Sequence, residues 1–151
     1  MADVVLDEWG WSAGSRRNSL QPGSTARAPT QTSHRWVLTD DIVDAYERRI
    51  HHARYKGGIW RRLQGSFIDT LVSASRLWLR EVPIIDGAYD GDDVAWVSAA
   101  AAAPAGCLLV TGDRRLLVQL GKTGLPEQHA FAACFVTDAL ELLDPRQPAL
   151  S

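Results

Sequence analysis

Cysteine is scarce in this chain: Cys107 and Cys134 are the only two in 151 residues. Both sit in apolar surroundings and neither has a second ligand at metal-binding spacing, which excludes a disulfide scaffold and a cysteine-based zinc site. Both are expected as buried thiols of a cytoplasmic protein. Long hydrophobic runs are missing as well, none approaching the ~20 residues that cross a bilayer, so no membrane partner is expected. The opening residues, MADVVLDEWG, lack a basic segment followed by an apolar one, and secretion is not expected. Nor is there a surplus of one charge. Sixteen Lys and Arg face eighteen Asp and Glu, for a net charge of -2. A near-neutral total neither favours nor excludes nucleic acid, because a local basic patch fits inside it. What is present is 46% hydrophobic residues and 23% charged ones, the composition of a globular domain long enough to bury a core.

Along the chain, apolar strands alternate with helical patterns. DVVLD (3–7) and RWVL (35–38) read as strands. Between them, residues 12–34 are rich in Ser, Pro and Arg without apolar periodicity, and read as one long loop. Thr39 or Asp40 can cap a helix whose apolar stripe is Ile42, Tyr46 and Ile50. After Gly57-Gly58, the spacing of Leu63, Phe67, Leu71 and Ser75 predicts a helix over 59–79, and EVPIID (81–86) a strand. An acidic turn leads to an alanine-rich helix from Val94 to Ala103, ended by Pro104 and Gly106. CLLVT (107–111) is strand-like, RRLLVQL a short helix, AFAACFV (130–136) the last strand and TDALELL (137–143) a closing helix. This order predicts an α/β domain with a mostly parallel sheet, spanning 1–145 as one unit with 146–151 as a tail.

Three carboxylates fall at corresponding places in that order. Asp7 closes the first strand, Asp113 follows the CLLVT strand, and Asp93 opens the helix leading into it. Open α/β sheets bind ligands outside the carboxyl ends of their strands, and right-handed crossovers bring neighbouring ends together. Carboxylates gathered there repel one another. Mg²⁺ or Mn²⁺ relieves that repulsion, because hard dications prefer oxygen ligands. Such a site suits phosphodiester hydrolysis. Each residue also has a local reading: Asp93 and Asp113 as helix N-caps, Asp7 as a strand terminator.

The segments VVLD, VLTDDIVDAYERRI and, above all, DGDDVAWVSAAAAAPAGCLLVTGDRRLL (90–117) resemble the PIN-domain family, which includes VapC-like toxins of bacterial toxin–antitoxin pairs. VTDALELL (136–143) resembles the family's C-terminal end. The resemblance implies a three-layer α/β/α fold with about five strands in the order 3-2-1-4-5. It further implies a metal-dependent endoribonuclease in which Asp7, Asp93 and Asp113 hold Mg²⁺ or Mn²⁺ and Thr111 orients a carboxylate or water. The products would be a 5′-phosphate and a 3′-hydroxyl. An antitoxin protein is the partner implied for a toxin of this kind.

Two positions depart from the family pattern. Asp7 is followed by Glu8-Trp9 in place of Thr-Asn, and the helix has Ala45 where the family carries Glu. On a helix wheel Asp41 lies about 40° from Ala45, one turn earlier, whereas Asp44 is about 100° away. Either can supply a substitute ligand, or both belong to a solvated face. A weakened enzyme is one consequence; a degenerate scaffold that binds RNA or a protein without cleavage is the alternative.

Basic residues supply the remaining candidates. Arg48, Arg49, Arg54 and Lys56, with Arg61 and Arg62 beyond, interleave with Tyr55 and Trp60, a pattern suited to phosphate contact and base stacking. Arg114 and Arg115 follow Asp113 directly and can hold substrate phosphate or pair with the acidic turn. Of the six tryptophans, Trp36, Trp78 and Trp96 are expected in the core. Trp9, Trp11 and Trp60 are expected at the surface, where they would favour a homodimer or an antitoxin groove.

Overall fold

Val4, Val5 and Leu6 have no exposed surface, because their strand is the middle one of a sheet covered by helices. The computed structural model describes residues 3–7, 34–53, 76–85, 91–104 and 106–142. Among these, five strands pair in parallel: β1 (Asp3–Leu6), β2 (Arg35–Leu38), β3 (Arg76–Trp78), β4 (Cys107–Thr111) and β5 (Phe131–Phe135). Their order is β3-β2-β1-β4-β5, the 3-2-1-4-5 arrangement expected of a three-layer α/β domain. The described helices are α1 (Asp40–Ala53), α2 (Val94–Ala102), α3 (Arg114–Thr123), α4 (Leu125–Gln128) and α5 (Val136–Leu142).

Parallel strands buried on both faces need continuous apolar runs, and β4 has one, with all five residues buried. At the amino edge, Asp3 stands opposite Arg35 in the β1–β2 register. The Arg35 guanidinium donates to both Asp3 carboxylate oxygens, at 2.7 and 2.9 Å. This two-point contact fixes the register between strands remote in sequence.

The start of α1 is set by Thr39, whose hydroxyl accepts the Ile42 amide at 3.1 Å. Asp40 and Asp41 in the first turn complement the helix dipole. Ile42, Ala45 and Tyr46 face inward, while Asp41, Asp44, Glu47 and Arg48 are exposed. The small side chains of α2 let it lie close to β1, β2 and β4, and its Trp96 stacks on Tyr46 with ring centroids 5.8 Å apart. Helix α3 buries Leu116 and Leu120 and ends at Gly124, whose φ of 70° is the left-handed conformation common after helices.

The third strand is not where its sequence pattern predicts. Residues 81–85 form no strand, and β3 is Arg76–Trp78, inside the stretch read as the end of a helix. Pro83 removes an amide donor and restricts Val82, whereas Leu77 and Trp78 pair with Val37 and Leu38 of β2. Trp78, expected in the core, is 41% exposed because β3 is the outermost described strand on its side. Trp36 and Trp96 are buried as expected. So is Cys107, while Cys134 is half-buried, and neither forms a disulfide. The closing helix starts at Val136, one residue ahead of Thr137. The proposed loop over 12–34 lies outside the described residues apart from His34, as does the helix predicted from 59 up to residue 75.

Candidate functional site

Asp7 follows directly on β1 and is 1% exposed. A buried carboxylate needs donors, and the adjacent strand supplies them. The Asp7 amide donates to the Val110 carbonyl at 3.1 Å, bringing Asp7 level with Thr111 at the end of β4. The Thr111 hydroxyl donates to one Asp7 oxygen, and the Gly112 amide reaches the other at 3.3 Å. The same hydroxyl accepts the Asp113 amide at 2.9 Å. One buried hydroxyl therefore ties Asp7 to the turn that carries Asp113. Glycine at 112 leaves that turn without a side chain beside the carboxylate.

The Asp113 carboxylate accepts the Arg115 amide at 2.9 Å and caps α3, the local role open to it. Asp93 occupies the N-cap position of α2 after the turn Gly91–Asp93, but its side chain makes no capping bond there. It is 9% exposed. Because α2 leads back into β4, its amino end lies at the sheet edge where the strands finish. Topology thus assigns Asp7, Asp93 and Asp113 to a single edge. Their oxygen donors have the chemistry for a hard dication, and a buried, hydrogen-bonded Asp7 fits that role. Among the described residues, however, no three His, Cys, Asp or Glu side chains are grouped closely enough to hold an ion.

Helix α1 approaches Asp7 from the side. The Tyr46 hydroxyl donates to the Leu6 carbonyl at 2.5 Å, one residue before Asp7. Burial, with a smaller contribution from the Asp7 charge, pushes the Tyr46 phenol well above its ordinary range. Ala45, at the position where a Glu was missed, is 4% exposed and packed in the core. Of the two proposed substitutes, Asp41 lines a cleft of about 240 Å³ with Thr39, Arg48, Gly91, Val94 and Ser98, next to the Asp93 turn. Asp44 is exposed and does not line that cleft.

Of the basic candidates, Arg48, Arg114 and Arg115 are exposed and Arg49 is half-buried. Arg54 and Lys56 lie outside the described residues, as do Tyr55, Trp60, Arg61, Arg62, Trp9 and Trp11. The Arg114 guanidinium carbon lies 4.1 Å from the Phe135 ring centre. Sequence reasoning missed two members of this edge, Tyr46 as a hydrogen-bond donor and Phe135 as an arginine platform. Tyrosine in an apolar helical stripe is itself a signal, since a buried phenol seeks an acceptor. No local signal marks Phe135. No helix among the described residues is long and apolar enough to cross a membrane. Comparison with protein-family models, with curated proteins and with solved structures finds no match to this chain.

Proposed function

We propose that this chain is a PIN-like ribonuclease of the cytoplasm that hydrolyses RNA phosphodiester bonds with Mg²⁺ or Mn²⁺ at the carboxyl edge of its sheet. The observation that carries this reading is the buried Thr111 hydroxyl, hydrogen-bonded to Asp7 and to the Asp113 amide. That hydroxyl orients the Asp7 carboxylate directly and fixes the backbone from which the Asp113 carboxylate projects. Asp7 and Asp113 would hold the ion together with Asp93, and Asp41 is the better placed of the two extra carboxylates. When bound, such an ion supplies an activated water and neutralises charge on the phosphate. The protein's own residues do the positioning. Thr111 and Gly112 orient Asp7 from the β4 side, Tyr46 anchors the backbone before it, and the α3 cap fixes Asp113.

A second reading, a scaffold that binds RNA or a protein without cutting, is favoured by two observations. Asp113 is engaged as a cap, and Ala45 leaves α1 with no inward acid at that position. Incubating the purified chain with a mixed RNA pool in Mn²⁺, in chelator, and with Asp93→Asn separates the two. Cleavage confined to the wild type with metal supports the nuclease. Equal cleavage in chelator or in the variant contradicts it, and binding without cleavage favours the scaffold.

A further inference from the structure

Arg114 has three carboxylates along its edge of the sheet, yet among the described residues it pairs with none of them. It lies over an aromatic ring instead. We propose that Arg114, held on Phe135, grips one phosphate of single-stranded RNA beside Asp7 and Asp113. This inference rests on the RNA-processing reading above and adds the residue pair that recognises the substrate.

Placement supports it first. Phe135 ends β5 directly opposite Thr111, so a carboxylate, a hydroxyl and an aromatic ring stand in one row across β1, β4 and β5. Arg114 is the first residue of α3, immediately after Asp113. Its backbone lies between Asp113 and the Arg115 amide that Asp113 caps, and its far end lies over the ring. An arginine fixed at both ends loses little further freedom when it binds.

Chemistry supports it second. The guanidinium interacts with Phe135 through the ring face, which leaves its in-plane N–H groups for a ligand. Those donors match two phosphate oxygens in a fork geometry. A bare ammonium on a flexible stem does not reproduce this, so Lys is a poor replacement. Arg114 is exposed and reachable by a polymer, whereas Phe135 is half-buried and acts through Arg114 as a positioning residue.

Binding of a short, labelled, mixed-sequence single-stranded RNA in chelator tests this, measured by fluorescence anisotropy over a range of salt concentrations. Arg114→Gln should weaken binding about tenfold and reduce the slope of log affinity against log salt by about 0.7, the value of one phosphate contact on a single strand. Arg114→Lys should keep the slope but lose affinity about threefold. Phe135→Leu should behave like Arg114→Lys, and Phe135→Tyr should restore wild-type binding. Wild-type affinity and slope in Arg114→Gln would overturn the inference and leave the nuclease reading intact. A wild type that binds no RNA at any salt concentration, in chelator and in Ca²⁺ alike, would overturn both.

Discussion

Asp113 caps α3 in the structure and is an ion ligand in the proposed reading, and two substitutions separate these roles. As a cap it accepts the Arg115 amide, a role Asn fills about as well as Asp, while Ala forfeits roughly 1 kcal/mol. As the proposed ion ligand it would need its charge. Asp113→Asn should therefore unfold in urea at nearly the wild-type midpoint yet lose more than about a hundredfold in cleavage, beyond the range typical of outer-shell partners. Asp113→Ala should lose both. Tyr46 makes the opposite kind of contribution. Tyr46→Phe removes the donor to the buried Leu6 carbonyl, and denaturation should show a cost of about 1–2 kcal/mol. The places of Asp7 and Asp113 after strands and of Asp93 before a helix were legible in the sequence, because each borders an apolar run. Tyr46 and Phe135 were not, because their roles depend on which strand end each one meets.

Among the elements, those with strong apolar patterning sit where the sequence predicts. Strand β4 has five apolar or small residues in a row and α2 a run of alanines. Strand β3 was misplaced because VPII carries the apolar signal of a strand, whereas Leu77 and Trp78 make the pairing with β2 and Pro83 lacks an amide donor. Ile84 is 79% exposed, so its hydrophobicity reports nothing about burial. The helix ends are legible in finer detail. Gly124 occupies a left-handed conformation at φ 70° with open space where a Cβ would stand. Gly124→Ala should therefore cost about 1 kcal/mol from backbone conformation alone, without a clash. Urea denaturation of that variant checks it, and an unchanged midpoint would show that the α3–α4 junction relaxes.

For the whole molecule, strand order was legible through the resemblance to PIN domains, whereas sheet register was not. Register depends on contacts such as Asp3 with Arg35, which join residues from separate parts of the chain. Global stability should carry a pH signature of the same core. Burial pushes the Cys134 thiol up to about 11 and the Cys107 thiol up to about 12, from an ordinary value of 9.0. Groups raised on folding contribute stability that is complete below their unfolded values and lost as pH rises through the folded ones. Thermal midpoints should thus hold up to about pH 9 and then fall through pH 11 to 12, where Tyr46 adds to the loss. Cys134→Ala should flatten the part of the decline between pH 9 and 11.

We propose that the sheet's carboxyl edge holds a dication between Asp7, Asp93 and Asp113. Electron paramagnetic resonance of Mn²⁺ titrated into the purified chain tests it without any assumption about substrate. Loss of the free-ion signal at a saturable site, weakened at least about tenfold by Asp7→Asn and by Asp93→Asn, is the predicted result. Undiminished free Mn²⁺ in the wild type, or equal binding by all three proteins, would contradict it.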